Sequence, residues 1–301
     1  MPRTWIRNIN EISGGLRTDS ADGPFTLNVG ALKRAQSIRA EISTDGRFIT
    51  SSAGFDLSDA LVEALRTTAP EDSLGTELES ELLAALSILS ATSRSILRLI
   101  QQETEDHSLL PHNQLLGFRG GFQWSSDSSQ WNPLPVHGGS ITFSMHKLGT
   151  LDNSLLRTIQ NLLDNGERPL LAYVHLFHAE RSDGLRFKWI EATIAAELAV
   201  KEVLMNVAPT IRPLLEELPS PPLRKLYGTI LEQYTGERSP FVRKLNEGAE
   251  RRNRLVHRPE VVRLDHQEVL DYVQVVREAI RHLVDLQRKL IHKPIDDDGG
   301  D

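Results

Sequence analysis

The sequence predicts an α+β protein, in which a mixed α/β N-terminal region precedes an all-helical C-terminal bundle. Three observations favour this division. Short alternating apolar segments separated by turn residues fill the first fifty positions of the 301-residue chain. Glycine and proline break up residues 107–149, so we expect a domain boundary near Gly149. From there to Ile291, apolar residues recur almost continuously at helical spacing.

The N-terminal region, residues 1–149, begins with segments that alternate apolar and polar side chains, as half-buried strands do. The predicted strands are 25–29, 37–42 and 47–50, with 123–124 and 140–143 as further candidates. Asp45-Gly46 marks a turn between the second and third of them. Two helices follow, a short one that carries Leu61 and Leu65 on one face and a long one over residues 76–102.

The C-terminal region, residues 150–293, is predicted to be a helical bundle, because amphipathic helices bury their apolar faces by packing together. The predicted helices are 151–163, 170–180, 187–207, 223–234, 240–257 and 266–291. Asp265 followed by Glu268 is typical of a capping box at the start of the last helix. The acidic, glycine-containing tail, residues 294–301, is expected to be disordered.

The composition excludes several classes of protein. There is no cysteine, which rules out disulfides, thiolate zinc sites, iron–sulfur clusters and a cysteine nucleophile. No apolar run approaches the roughly 20 residues that span a bilayer, and the N-terminus lacks the apolar segment of a secretory signal. We therefore expect a cytoplasmic protein with no transmembrane helix and no membrane partner.

Charge is distributed unevenly along a chain whose net charge is −7. Residues 1–185 carry 15 Lys and Arg against 22 Asp and Glu, whereas residues 186–292 carry 18 against 15. Between Arg238 and Arg263 there are eight basic residues and three acidic ones. A local basic stretch in an acidic protein can bind a phosphate backbone, although a solvated helix face has the same composition.

One motif lies within this basic stretch. Residues 251–259 contain Arg252, Asn253 and His257 in the pattern Arg-Asn-x-x-x-His. The motif falls at the predicted C-terminal end of a helix, because Pro259 disfavours helical geometry at the residue before it. Asn253 and His257 are one helical turn apart and share a face, whereas Arg252 is about 140° from His257 on an ideal helix.

The motif and its helical setting resemble the catalytic signature of the HEPN superfamily. Segment 187–201, which is rich in alanine and contains Glu197, also resembles the early core helix of HEPN proteins. The resemblance covers residues 150–293. It implies a helical fold and, in active members, endoribonuclease activity without a metal or other cofactor, through attack of the ribose 2′-OH on the adjacent phosphate. In the family, two protomers each contribute one motif, so the resemblance also implies a homodimer.

The residue types suit this chemistry. His257 can shuttle a proton near neutral pH, and Arg252 can stabilise the negative charge that builds up on the phosphate. Asn253 can orient the imidazole ring or the phosphate. Glu197 either pairs with Lys201 one turn along the helix or points into the cleft as a supporting polar group. The basic residues expected to bind the RNA backbone are Arg243, Lys244, Arg251, Arg254 and Arg258.

The resemblance also bears on biological setting. Proteins of this kind resemble toxins of toxin–antitoxin systems and antiviral defence effectors, which implies an antitoxin or sensor partner protein and a sensing or regulatory role for residues 1–149. The branch paired with nucleotidyltransferase antitoxins carries a tyrosine two residues after the histidine, where this chain has Pro259. The alternative is a non-catalytic HEPN module that contacts a partner protein or a nucleotide.

His175, His178 and Glu180 form a further group of residue types that can bind metals. The two histidines are three residues apart on an apolar predicted helix, where a packed histidine is much commoner than a metal ligand. From the sequence we therefore expect no metal site.

Overall fold

The computed structural model confirms an α+β protein, built from two compact units, Met1–Pro169 and Leu170–Asp301. It describes residues 4–11, 17–18, 24–30, 35–69, 74–104, 121–135, 150–217, 221–257 and 263–291. The predicted strand 140–143, the expected boundary residue Gly149, and Arg258 lie outside the described residues, as does the tail 294–301.

The described residues of the N-terminal unit contain eight strands. They are β1 (Thr4–Glu11), β2 (Arg17–Thr18), β3 (Phe25–Val29), β4 (Ala35–Ile42), β5 (Phe48–Phe55), β6 (Phe122–Ser125), β7 (Asn132–Pro133) and β8 (Thr150–Leu151). Six of them form an antiparallel sheet in the order β3-β4-β5-β1-β6-β7, and β2 and β8 form a separate parallel pair. β1 lies inside the sheet, because it pairs with β5 over its whole length and with β6 from Trp5 to Asn8.

Three helices complete the N-terminal unit: α1 (Asp59–Thr67), α2 (Thr76–Thr104) and α3 (Asn153–Asp164). α2 packs against β1, β4 and β5, and α3 packs against β3 and α2. Ile159 and Leu162 of α3 join a buried apolar cluster with residues of α2 and the sheet. The boundary between the units therefore falls after Pro169 and not near Gly149, because α3 belongs to the N-terminal core.

Helix α2 differs from the prediction that no segment of the chain is apolar enough to span a membrane. Of the helices that the structure describes, it alone is long and apolar enough to cross a membrane by length and composition. Within its most apolar stretch, 50% of the residues are buried inside the unit. Leu82, Leu89 and Ile96 are each 0% exposed, which is the packing of a core helix.

The C-terminal unit is helical throughout its described residues. Its α-helices are α4 (Leu171–Arg181), α5 (Leu185–Val207), α6 (Arg212–Glu217), α7 (Leu223–Lys225), α8 (Leu231–Thr235), α9 (Val242–His257) and α10 (His266–Ile291). A 3₁₀ turn over Pro209–Ile211 precedes α6, and a π turn over Leu226–Ile230 joins α7 to α8. The helices predicted within this unit are confirmed to within a few residues at each end.

Helix α5 is the centre of the C-terminal unit, since α4, α6, α8, α9 and α10 all contact it. Ala192, Ala196 and Ala199 on α5 are completely buried, so small side chains let neighbouring helices approach closely. Tyr227 in the π turn donates a hydrogen bond from its hydroxyl to the Ala196 carbonyl at 2.7 Å. These contacts hold in place the helices that pack around α9, which carries the motif.

Candidate functional site

Helix α9 carries the predicted motif in its last turns, and its buried residues decide which way the motif faces. Leu245, Gly248 and Leu255 are buried, at the spacing of a single helix face. Each residue turns the helix by about 100°, so Asn253 and His257 fall on the opposite side. Both are exposed. The packing of α9 therefore presents one face of the motif to solvent.

Arg252 is half-buried and, seven residues after Leu245, leaves α9 on the same side as the buried residues. Its Nη1 donates a hydrogen bond to Oδ1 of Asn253 at 3.2 Å. The structure thus joins Arg252 to Asn253, and Asn253 shares its exposed helix face with His257.

Trp189 of α5 holds the middle of α9 in place. Its Nε1 donates a hydrogen bond to the Gly248 carbonyl at 2.9 Å. Its indole is stacked on the ring of Tyr272 from α10, with the ring centroids 4.2 Å apart. This aromatic pair contacts α9 from both neighbouring helices, α5 and α10. It therefore fixes the position of α9, and of the motif on it, relative to the core.

Gly248 on α9 leaves room for the ring of Tyr272 from α10. A Cβ atom at this position would lie 2.1 Å from Cε2 of Tyr272, far inside van der Waals contact. Thr193 donates its hydroxyl proton to the Trp189 carbonyl at 2.9 Å, so the Tyr272 hydroxyl donates to Thr193 Oγ1 at 3.1 Å. Burial raises the pKa of Tyr272 to about 12, which keeps this donor protonated near neutral pH.

Arg251 is engaged inside the unit. It forms an ion pair with Glu268 of α10 and donates from Nη2 to the Arg263 carbonyl at 2.9 Å. Its guanidinium carbon lies 5.2 Å from the centroid of the Trp189 ring, within cation–π range. Arg251 therefore ties α9 to α10, whereas the sequence predicted that it faces RNA.

Three other predicted RNA-binding residues, Arg243, Lys244 and Arg254, are exposed on α9. Glu247 and Glu250 are exposed on the same helix, and Nε of Arg243 lies 3.9 Å from the Glu247 carboxylate. An exposed pair of this kind is weak and leaves both charges available to solvent. The outer face of α9 is therefore mixed in charge and less basic than the sequence stretch suggests.

Glu197 takes the first of its two predicted roles. Its Oε1 lies 3.1 Å from Nζ of Lys201, one turn further along α5. The pair is the i, i+4 arrangement expected on a helix surface. The structure thus shows Glu197 in the structural pair, the first of the two alternatives.

A separate cleft of about 380 Å³ lies between α4, α5 and α10. Glu180 in its wall accepts hydrogen bonds from Arg277, and Lys188 donates to the Glu180 carbonyl at 2.7 Å. Burial raises the pKa of the Glu180 carboxyl, opposed by the neighbouring Arg277. Among the described residues, none of the predicted catalytic or RNA-binding positions lines this cleft. The cleft is therefore separate from the candidate site.

Two residues that fix the motif were not predicted from the sequence, Trp189 and Gly248. A glycine inside a helix lowers helix propensity by about 1 kcal/mol relative to alanine. Gly248 in the predicted helix 240–257 is therefore a signal for a close approach of another element. Trp189 gives no comparable signal, because its partners come from distant parts of the chain.

Comparison with known proteins gives no match: no family model, curated protein or solved structure matches this chain. Its function is therefore inferred from the residues of α9 and their surroundings.

Proposed function

We propose that the C-terminal unit is a metal-independent endoribonuclease of HEPN type, with its active site at the end of α9. The observation that carries this proposal is that Arg252 is hydrogen-bonded to Asn253, which shares an exposed face with His257, at the end of a helix whose buried face is fixed in the core. A helix anchored in this way holds the backbone positions of the three residues constant. Phosphoryl transfer depends on such positioning.

The proposed reaction is an internal transesterification of RNA. The ribose 2′-oxygen forms a bond to the adjacent phosphorus, and the bond from that phosphorus to the 5′-oxygen of the next nucleotide breaks. His257 accepts the proton of the 2′-hydroxyl, and a second, protonated imidazole donates a proton to the 5′-oxygen. Arg252 compensates the negative charge on the phosphate. The products are a 2′,3′-cyclic phosphate and a 5′-hydroxyl.

A homodimer is part of this proposal. One copy of α9 offers one His257, whereas the reaction uses a proton acceptor and a proton donor together. A second copy related by two-fold symmetry supplies the other histidine through the same surface. Val256, which is 40% exposed beside His257, adds apolar area to this surface.

The charge of α9 favours a second candidate function, a non-catalytic module that binds a partner protein or a nucleotide. Arg251 is engaged with Glu268, and Glu247 and Glu250 lie among the exposed basic residues. Fewer cations are therefore available to a phosphate backbone than the eight in the sequence stretch. Cleavage assays distinguish the two functions.

The test uses the purified full chain and a mixed RNA substrate in the presence of EDTA. We expect the wild-type protein to cleave RNA, and Arg252→Ala and His257→Ala each to lower the rate about 100-fold or more, since they remove the phosphate clamp and the acid–base group. Asn253→Ala is expected to cost less, because it removes only an orienting group.

Matched controls are His266→Ala and Arg212→Ala, which change exposed residues of the same unit outside α9. Both should cleave at the wild-type rate, and all variants should keep the wild-type Tm. Variants of the motif that unfold would give it a structural role and contradict the proposal. A wild-type protein that binds RNA or nucleotide without cleaving RNA would favour the binding module.

A further inference from the structure

Two imidazoles and one carboxylate meet between α4 and α5 of the C-terminal unit. Nδ1 of His175 lies 2.8 Å from Oε2 of Glu191, and Nδ1 of His178 lies 3.6 Å from the same oxygen. The potential ligand atoms of the three residues all lie within 4.8 Å of one another. The sequence suggested Glu180 as a companion of the histidines, but that carboxylate pairs with Arg277.

Both helices that carry this cluster are firmly packed. His175 and His178 are three residues apart on α4, which puts them on one helix face. Their neighbour Leu176 on α4 and Ala192 beside Glu191 on α5 are completely buried. The side chains of the cluster are 26% and 27% exposed, so solvent reaches them although their backbones are held in place.

We propose that His175, His178 and Glu191 form a zinc site that links α4 to α5. Two imidazoles and a carboxylate are an established donor set for Zn²⁺. With Zn–N and Zn–O bonds of about 2.1 Å, ligand atoms around a tetrahedral zinc are about 3.4 Å apart. The two His–Glu191 separations of 2.8 Å and 3.6 Å lie on either side of this spacing, and all the potential ligand atoms lie within 4.8 Å of one another. Rotation of the side chains would bring the three ligand atoms to the spacing that zinc requires.

Glu202 of α5 fixes the start of α4, the helix that carries both histidines. Its carboxylate accepts hydrogen bonds from the backbone N–H groups of Leu171 and Ala172 at 2.9 Å and 3.1 Å. These bonds hold α4 against α5, so the backbones of the three proposed ligands are fixed relative to one another.

The zinc site is independent of the proposed RNA chemistry. It contains none of Arg252, Asn253 and His257, and three protein ligands leave a coordination position for water. Binding to the folded state alone should stabilise the C-terminal unit. Removal of zinc is therefore expected to lower stability while cleavage by the motif on α9 continues.

The test uses the full chain without a polyhistidine tag, stripped with EDTA, dialysed free of chelator and titrated with ZnCl₂. Equilibrium dialysis should give one zinc ion per chain. Saturating zinc should raise Tm by about 5 °C. Co²⁺ at the same site should give the visible absorption of a four- or five-coordinate ion.

Variants identify the ligands. His178→Ala and Glu191→Gln should each weaken zinc binding by about 100-fold or more, whereas His257→Ala and Glu197→Gln, which change residues outside the cluster, should bind like the wild type. Glu191→Gln preserves the shape of the side chain. If His178→Ala fails to fold, zinc binding by Glu191→Gln tests the proposal. The proposal is overturned if the wild type binds no stoichiometric zinc, or if both cluster variants bind it normally. The cluster would then be a set of hydrogen-bonded side chains only.

Discussion

Arg251 and Arg252 are adjacent in the sequence, yet they leave α9 in different directions, because each residue turns the helix by about 100°. Arg251 reaches Glu268 and covers Trp189, and Arg252 turns to Asn253. The basic stretch that the sequence presents as one surface is therefore divided between structural and exposed roles.

This division predicts different effects on stability. Arg251→Ala should lower the free energy of unfolding by about 2 kcal/mol, because it removes an ion pair and leaves Glu268 without that partner. Arg252→Ala should lower it by less than about 1 kcal/mol, since its described bond is to an exposed neighbour. Urea denaturation of the two variants measures both values. Equal losses would contradict the assignment of Arg251 to the internal contact.

The start of α10 shows which contacts can be predicted from a local sequence pattern and which cannot. Asp265 caps the helix as predicted, since its Oδ1 accepts hydrogen bonds from the backbone N–H groups of Gln267 and Glu268. The Glu268 side chain, assigned to the same capping box, instead binds Arg251. Bonds between neighbours in the chain were predictable, whereas a competing partner on another helix was not.

At the scale of secondary-structure elements, the position of α9 depends on the absence of a side chain at Gly248. Gly248→Ala should lower the free energy of unfolding by about 3 kcal/mol, because the added methyl group collides with Tyr272 and displaces α9 from α10. The same displacement should reduce cleavage, since the motif moves with the helix.

A double-mutant cycle isolates this contact. Tyr272→Ala should itself destabilise the protein, but adding Gly248→Ala to it should cost less than about 1 kcal/mol, because the ring that the methyl group meets is gone. Chemical denaturation of the four proteins gives the coupling energy. Additive losses would show that Gly248 acts through helix propensity and not through contact with Tyr272.

Strand β1 shows why part of the fold was not predictable. Asn8 and Asn10 on β1 are 0% and 3% exposed, and their Nδ2 atoms donate to Ser90 and Ser93 of α2 at 2.8 Å and 3.2 Å. An alternation pattern assigns such polar residues to the solvent side of a strand. The hydroxyl partners on α2 offset the burial of their amide NH₂ groups.

Helix α3 shows a related limit. Its helical periodicity was predicted and is confirmed, but its apolar face, with Ile159 and Leu162, packs in the N-terminal unit and not with the later helices. Periodicity predicts that a face is buried. It does not predict which element covers that face.

At the scale of the whole molecule, the α+β class and the helical C-terminal unit were predictable from composition and periodicity. The regulatory or sensing role of the N-terminal region and the homodimer stay predictions. The homodimer has a direct consequence, because each active site then needs a functional motif from both protomers.

Mixing experiments test this consequence. A fixed amount of wild-type chain is equilibrated with an excess of His257→Ala chain, and RNA cleavage is measured in EDTA. Mixed dimers lack one proton-transfer group, so activity should fall about in proportion to the wild-type homodimers that remain. An excess of Arg212→Ala chain, whose motif is intact, should not lower activity. Cleavage that is unaffected by excess His257→Ala chain would contradict a shared site.

The most direct measurement is the chemical nature of the RNA ends produced in EDTA by the wild-type chain and by His257→Ala. Attack by the 2′-hydroxyl leaves a 2′,3′-cyclic phosphate, or its hydrolysis product, and a 5′-hydroxyl. We predict these ends for the wild type, and their formation at a rate lowered about 100-fold or more for His257→Ala. Fragments that appear only with Mg²⁺ and carry 5′-phosphates, or cyclic phosphates that His257→Ala produces at the wild-type rate, would contradict cleavage by the motif on α9.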